Sequence, residues 1–257
     1  MNMQAIHDPA PRQGADRILL VMLPGAKARA RDLVHHGFVQ ALRERGLPID
    51  VAAADAHLGY YLERSLSRHL THDIIAPARA RNYRRIWLMG ISLGGMGALI
   101  YARDHPADIE GVILLAPFLG VRGTIAEVVG AGGLARWQPG ALAADDDERR
   151  LLAWIKAYQP AAALPGIYLG YGTDDRFAAA AGMLAERLPA ARVVTVSGGH
   201  DWATWMRLWQ HLLDQDLFSG NEKKRLPVAG KQKRPPAARA TRLHRSNCRR
   251  VACATKT

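Results

Sequence analysis

Six short runs of nearly uninterrupted apolar residues recur along this chain, bounded by Gly, Pro or Asp. Strands that are buried on both faces of a sheet have this composition, because neither face needs polar residues. The runs occupy residues 17–23, 49–55, 85–90, 110–117, 166–172 and 191–197. They restrict the chain to folds built around a central sheet that is covered on both sides.

The segments between these runs have the apolar spacing of helices. In one of them Leu62, Leu66, Leu70 and Ile74 recur at every fourth residue. The predicted helices cover residues 30–45, 58–79, 93–105, 176–188 and 201–216. Strands that alternate with helices form right-handed crossovers and a parallel sheet. We therefore predict an α/β fold with a mostly parallel sheet of about six strands and helices on both faces.

The predicted organisation is one domain with an extension at each end. Residues 1–16 form an N-terminal extension, 17–219 the α/β domain and 220–257 a basic tail. Within the domain, an unusually long connection of about residues 119–165 joins two predicted strands. An insertion at the carboxyl end of a central strand is placed to form a short cap over a site, or it adds a packing element without a role in binding.

The formal charge of the chain is +12, but most of it lies in the tail. Residues 220–257 contain five Lys, seven Arg and one Glu, which leaves a net charge of about +1 for residues 1–219. A nearly neutral domain does not indicate a phosphate-binding surface. A tail of this composition is expected to be disordered. It is interpreted as a solvated extension without a partner, and the alternative is a contact with nucleic acid or an acidic membrane.

The sequence gives no indication of export or of membrane insertion. Both cysteines, Cys248 and Cys253, lie in the tail, so the domain has no disulfide framework and no cysteine nucleophile. The apolar run at 18–23 is too short for a signal peptide or a membrane span. We expect a soluble, cytoplasmic protein.

The sequence G-I-S-L-G places Ser92 between glycines where the third predicted strand runs into a helix. A turn this sharp holds the serine in a strained conformation, and Gly90 and Gly94 leave room for the neighbouring backbone. The serine hydroxyl is then exposed at the carboxyl edge of the sheet. The alternative is a tight turn with Ser92 as a helix cap. In this context the pattern favours a nucleophile.

A serine hydroxyl needs a base to act as a nucleophile. In folds of this kind the chain order is serine, then acid, then the histidine that acts as the base. Four histidines come after Ser92. His105 ends the helix behind the serine, His211 lies inside the last helix and His244 is in the tail. This leaves His200, in the loop after the last predicted strand.

The loop after the preceding strand supplies the acid. It contains Asp174 and Asp175, and either could orient His200 because the two loops are neighbours at one sheet edge. Asp201 is interpreted as a carboxylate at a helix N-terminus.

Two backbone N–H groups are candidates for an oxyanion hole. Leu93 stands at the N-terminus of the helix after the serine, and Ala26 follows the turn Pro24-Gly25 after the first predicted strand. Donors at these positions point towards a carbonyl oxygen that acquires negative charge.

With these residues in place, the chain resembles the α/β-hydrolase superfamily, and most closely its small bacterial esterase-type serine hydrolases. The resemblance covers roughly residues 16–217 and rests on the G-x-S-x-G turn, the G-x-x-D loop at 172–175 and the GGHDW loop at 198–202. It implies that Ser92 is the nucleophile, His200 the base and Asp175, rather than Asp174, the acid.

The chain departs from this superfamily at two places. Pro24 replaces a common histidine before Gly25, and only about sixteen residues precede the first predicted strand. We therefore expect the antiparallel edge strands of the superfamily to be missing.

Several apolar and aromatic residues are candidates for the substrate pocket. His57, Tyr60 and Tyr61 follow the second strand and could line it, although aromatic residues that open a helix also pack in cores. Met96 and Phe118 are expected to border the acyl group. Trp202, Trp205 and Trp209 follow helical spacing and are interpreted as packing residues.

The implied reaction is hydrolysis of a small-molecule carboxylic ester or thioester through an acyl-enzyme. An acyltransferase would use the same three residues with another acceptor in place of water. A catalytically inactive binding protein of the same fold is the non-enzymatic alternative.

No metal ion and no cofactor is predicted. His69 and His72 are three residues apart and His35 and His36 are adjacent, but neither pair belongs to a metal-binding motif.

Overall fold

The structure is a computed structural model that describes residues 2–12, 16–160 and 164–218. Contacts within the chain separate Met1–Gly220 from Asn221–Thr257. The predicted tail, residues 220–257, lies outside the described residues. None of the helices in the described ranges combines the length and the apolar composition that crossing a bilayer requires.

A seven-stranded sheet lies at the centre of the described residues, with the order β1-β3-β2-β4-β5-β6-β7. All neighbouring strands are parallel except β1 and β3. The strands are β1 (Ala5–Asp8), β2 (Ile18–Leu23), β3 (Ile49–Ala54), β4 (Arg85–Ile91), β5 (Gly111–Leu115), β6 (Gly166–Gly172) and β7 (Val193–Val196). The predicted mostly parallel sheet is confirmed.

Helices cover both faces of the sheet. They are α1 (Ala30–His35), α2 (Phe38–Glu44), α3 (Leu58–Leu62), α4 (Leu66–His69), a π-helix (Leu70–Ile75), α5 (Ala76–Ala80), α6 (Leu93–Asp104), α7 (Arg122–Gly130), α8 (Asp147–Ala157), α9 (Ala178–Ala185), a 3₁₀ turn (Ala190–Arg192) and α10 (Trp202–Leu213). Along β2, Leu19 and Val21 pack into a core with α4 to α9, whereas Leu20 and Met22 pack into a second core with α1, α2 and α10. Both faces are apolar for this reason.

The expectation that antiparallel edge strands are missing is wrong. Ala5–Asp8, in the segment predicted as an extension, pairs antiparallel with β3 and makes the sheet seven strands wide instead of about six. The strand has four residues with half-buried or exposed side chains, so it leaves little periodic signal.

The side chain of Asp73 anchors the chain just before this edge strand. Its carboxylate accepts a hydrogen bond from the backbone N–H of Met3 at 2.7 Å and contacts His69 and His72 at 2.8 Å each. Burial raises the pKa of Asp73, but the hydrogen bonds from His72, Met3 and His69 outweigh it and lower the pKa to about 2. The ionised carboxylate therefore helps to hold the N-terminal segment on the domain.

Two predicted helices are interrupted. The helix predicted at 30–45 divides at Gly37, which has a φ of +83°. The helix predicted at 58–79 breaks after α3, where Arg64 has a φ of +51°. The side chain of Leu62 is 75% exposed, so the first of the four apolar residues spaced four apart does not pack in the core. Backbone with positive φ ends a helix whatever the side-chain pattern predicts.

The insertion between β5 and β6 contains α7 and α8. Leu151, Leu152 and Ile155 of α8 are fully buried in the core. The Thr124 hydroxyl of α7 donates to the Glu148 carboxylate of α8 at 2.7 Å. These contacts make the insertion a packed part of the domain, and its role as a cap over the site stays a prediction.

Gly94 permits the close approach of α6 to the end of β2. A Cβ added at Gly94 would lie 2.6 Å from the carbonyl oxygen of Pro24 and closer still to that of Leu23. Because backbone atoms cannot move aside as flexible side chains do, Gly94→Ala is expected to lower the free energy of unfolding by about 3 kcal/mol or more. Urea denaturation followed by circular dichroism measures this change.

The matched control is Gly182→Ala in α9, where an added Cβ meets no atom within 4 Å. Alanine favours helix over glycine, so this variant is expected to gain roughly 0.5–1 kcal/mol. A Gly94→Ala protein as stable as the control would contradict the proposed crowding.

Candidate active site

The turn between β4 and α6 presents the side chain of Ser92. The residue has φ +53° and ψ −115°, a region that few non-glycine residues adopt. Backbone hydrogen bonds hold it there: the Ser92 N–H donates to Leu115 at 3.0 Å, and its carbonyl accepts from the Phe118 N–H at 2.9 Å. The end of β5 and the residues after it therefore help to hold the strained backbone conformation of Ser92 in the turn between β4 and α6.

The loops after β6 and β7 bring an imidazole and a carboxylate to this serine. Nε2 of His200 lies 2.9 Å from Oγ of Ser92, and Nδ1 of His200 lies 2.7 Å from Oδ2 of Asp175. An ionised carboxylate can only accept, so Nδ1 carries the ring proton and Nε2 is free to accept from the serine hydroxyl. The three side chains form one continuous chain of hydrogen bonds.

The carboxylate of Asp175 is shielded from water and fixed at both oxygens. Its side chain is 1% exposed, and Oδ1 accepts the backbone N–H of Phe177 at 2.8 Å while Oδ2 faces His200. The carboxylate is therefore oriented before any substrate binds.

Asp174 does not reach His200. Its carboxylate accepts the backbone N–H of Gly198 at 3.0 Å and lies 3.4 Å from the Ser197 hydroxyl, so it ties the loop after β6 to the loop after β7. Of the two aspartates that the sequence left open, the structure brings Asp175 to the imidazole.

Asp201 caps the helix that follows His200. Its carboxylate accepts the backbone N–H of Thr204 at 2.8 Å, and this hydrogen bond holds the pKa of Asp201 below its ordinary value. The cap fixes the start of α10, and with it the end of the loop that carries His200.

Two aromatic rings hold the imidazole of His200 edge-on. The Phe177 ring centroid lies 4.9 Å away at an interplanar angle of 89°, and that of Trp205 lies 4.9 Å away at 85°. Trp205 is buried and also lines the cavity at the serine, so it is more than the packing residue that its helical spacing suggested.

The two predicted oxyanion donors lie next to Ser92. Leu93 is the first residue of α6, so its N–H has no partner within the helix. Ala26 is in the turn closed by the hydrogen bond from Ala28 N–H to the Gly25 carbonyl at 3.0 Å. A Cβ added at Gly25 would lie 3.6 Å from that of Ser92, so this turn passes directly beside the serine. Their role in binding an oxyanion stays a prediction.

A cavity of about 440 Å³ opens at Ser92 and His200. Its lining comes from the turns after β2 and β4, the loops after β6 and β7, and residues in or next to α1 and α10. The lining residues are Gly25, Ala26, Lys27, Ala28, Asp32, His36, Ser92, Arg176, His200, Trp202 and Trp205.

None of the five residues predicted to bind substrate lines this cavity. His57 caps α3, with its Nδ1 accepting from Gly59 N–H at 3.2 Å. Tyr60 is buried and packs against the rings of His57 and His69, in agreement with the core alternative. Tyr61 and Met96 line a different cavity, beside the insertion.

Phe118 contacts Ser92 through its backbone N–H, and its ring lies near the imidazole of His200. Its ring lies 5.5 Å from that of Phe177, which in turn contacts His200. It is thus one aromatic ring away from the imidazole.

Three residues that line the cavity, Lys27, His36 and Arg176, were not predicted from the sequence. Neither was Phe177, whose ring contacts Arg176 and His200. A usable signal was their position, because Lys27 directly follows Ala26, and Arg176 and Phe177 directly follow Asp175. Among the described residues no group of three or more His, Cys, Asp or Glu side chains is arranged to hold a metal ion.

The sequence matches the model of the Esterase family, described as "Putative esterase", over residues 42–219. The chain belongs to this esterase family. A comparison of the esterase-family chain with curated proteins gives no match.

Solved structures similar to this esterase-family chain come from several organisms. An S-formylglutathione hydrolase from Staphylococcus aureus is 10% identical with a TM-score of 0.54, and the match covers 83% of this chain and 95% of that one. Est1E from Butyrivibrio proteoclasticus is 16% identical with a TM-score of 0.55, covering 84% and 99%. A monoacylglycerol lipase from Paleococcus ferrophilus is 17% identical with a TM-score of 0.54, covering 84% and 100%.

At these identities the structural similarity concerns the fold. Together with the family match, it confirms two predictions for the esterase-family chain: the α/β-hydrolase fold and the enzyme class, a serine hydrolase.

Proposed function

We propose that this chain hydrolyses a carboxylic ester or thioester through Ser92, His200 and Asp175. The observation that carries the proposal is the unbroken hydrogen-bond chain from Oγ of Ser92 through the imidazole to the buried carboxylate. A serine hydroxyl is a weak nucleophile near neutral pH, and a base that is itself oriented by a carboxylate makes it reactive.

In the first step, Oγ of Ser92 forms a bond to the carbonyl carbon of the substrate while Nε2 of His200 takes the hydroxyl proton. The electrons of the C=O double bond move to the oxygen, which accepts hydrogen bonds from the N–H groups of Leu93 and Ala26. Asp175 remains ionised and stabilises the imidazolium.

The tetrahedral intermediate then collapses. The bond to the leaving oxygen or sulfur breaks, and His200 returns its proton to the leaving alcohol or thiol, which gives an acyl ester on Ser92. Water attacks this ester with His200 again as the base. The second collapse releases the carboxylic acid and restores the serine hydroxyl.

Esters and thioesters suit this site because their leaving groups need less assistance than an amine. The cavity contributes backbone N–H groups, aromatic rings and one imidazole beside the serine. The half-open space around Ser92 admits the acyl group and the leaving group of a small molecule.

A fluorophosphonate probe tests the proposal directly, since it reacts with activated serines. Intact mass and peptide mapping of the wild-type protein should find one adduct, on Ser92. Ser92→Ala should show no adduct and His200→Ala a strongly slowed reaction, with circular dichroism establishing that each variant is folded. A panel of p-nitrophenyl esters and acyl thioesters then measures turnover. If the folded wild-type protein forms no adduct and turns over no ester, the proposal fails and a binding role is favoured.

A further inference from the structure

Two exposed cations line the cavity that contains Ser92. Lys27 comes from the turn after β2 and Arg176 from the loop after β6, so they enter the cavity from different segments. Neither pairs with a carboxylate among the residues that the structure describes. Their charges are available to a molecule that enters the cavity.

A comparison with Arg29 shows that cations in this region can find a carboxylate. Arg29 lies two residues beyond Lys27 in the chain, and its guanidinium pairs with Asp55 at 3.0 Å. It does not line the Ser92 cavity. The charge just outside the cavity is thus neutralised, whereas the charge of Lys27 is not.

The guanidinium of Arg176 is held near the reactive groups by an aromatic ring. It lies 5.0 Å from the centroid of the Phe177 ring, and the same ring contacts the His200 imidazole edge-on at 4.9 Å. Such a contact between a cation and an aromatic face restrains a long, exposed side chain. One ring therefore separates this positive charge from the imidazole beside Ser92.

The one carboxylate and the second imidazole that line the cavity each contact another residue of the chain. Asp32 is the one carboxylate among the lining residues, and it accepts the backbone N–H of Arg29 at 2.8 Å, where it caps α1. The ring of His36 stacks on Trp202 at 4.0 Å. Lys27 and Arg176 therefore supply the positive charge that can meet an anionic ligand in this cavity.

From these observations, and resting on the function proposed above, we infer that the preferred substrate is an ester or thioester that carries an anionic group, such as a carboxylate, close to the scissile bond. A guanidinium matches the planar geometry of a carboxylate, and an ammonium adds a compact positive charge. Two cations from different segments of the same cavity can bind such a group while the ester carbonyl lies at Ser92.

Two matched pairs of esters test this inference. In the first pair, p-nitrophenyl hydrogen glutarate carries a carboxylate where p-nitrophenyl pentanoate has a methyl group, so the charge is on the acyl side. In the second, 4-acetoxybenzoate and its methyl ester differ in charge on the leaving-group side. The measurement is kcat/KM for all four esters with the wild-type protein, Lys27→Gln, Arg176→Gln and the double variant.

In one of the two pairs, we expect each single substitution to lower kcat/KM for the anionic ester by roughly threefold to fivefold more than for the neutral ester. A difference of this size corresponds to the free energy of one solvent-exposed ion pair. Comparing variants with the wild type cancels the intrinsic reactivity of each ester. Raising the salt to 1 M should reduce the difference, because the screening length then falls to about 3 Å. The pair that responds identifies the side of the substrate that carries the charge.

Arg84→Gln is the matched control. Arg84 is exposed and directly precedes β4, at the edge of the sheet opposite to Ser92, so it should leave all four values unchanged. Equal losses for anionic and neutral esters in both pairs would overturn the inference while hydrolysis itself stands. A folded wild-type protein that hydrolyses none of the four esters would instead overturn the proposed function and this inference with it.

Discussion

Replacing Ser92 by alanine is expected to lower kcat for ester hydrolysis by about 10⁶-fold, to the level left by binding and backbone donors alone. Among the residues that the structure describes, Ser92 supplies the hydroxyl that contacts the His200 imidazole, with Oγ 2.9 Å from Nε2. The variant should still fold, because the hydrogen bonds of Ser92 to Leu115 and Phe118 use backbone atoms only.

Initial rates with a p-nitrophenyl ester measure this loss, and urea denaturation establishes that the variant is folded. Ser67→Ala, a substitution of the half-buried serine in α4, is the matched control and should keep wild-type activity. Retention of activity within tenfold by Ser92→Ala would exclude this serine as the nucleophile.

The second large effect is expected at Asp175. Asp175→Asn should lower kcat by about 10⁴-fold, since an amide has no charge to stabilise the imidazolium and can hold His200 in the wrong tautomer. The loss should appear mainly in kcat, because Asp175 is buried behind the imidazole and does not line the cavity. Steady-state kinetics over a range of ester concentrations separates kcat from KM.

Asp174→Asn provides the comparison for this prediction. The amide oxygen of asparagine can still accept the Gly198 N–H, so we expect a loss of less than about tenfold. If the two variants exchanged these values, Asp174 would be the acid, and the loop after β6 would have to rearrange in solution.

The sequence predicted the parts of the site that depend on the order of strands and loops. Ser92, Asp175 and His200 each follow the carboxyl end of a parallel strand, and such ends meet at one edge of a sheet. This topology follows from the alternation of strands and helices. The three residues could therefore be predicted to lie close together although they are far apart in the chain.

The residues of the cavity were harder to predict because they depend on where side chains point. Tyr60 faces the core, and His57 uses its ring nitrogen to cap α3, although both follow a strand as a substrate residue would. The break at Arg64 separates α3, which carries the exposed Leu62, from the leucines that continue into the core. A single residue with positive φ changes the direction of the side chains that follow it. The periodicity of apolar residues in the sequence does not predict where such a residue occurs.

The backbone of Ser92 has a consequence for how selection acts on this chain. At φ +53° any residue with a Cβ is held in an unfavourable conformation, whereas glycine is not. If stability alone were selected, glycine would therefore be favoured at position 92 over the residue that the chain contains. A serine at this position therefore lowers stability relative to glycine, and selection for thermal tolerance alone is expected to replace it.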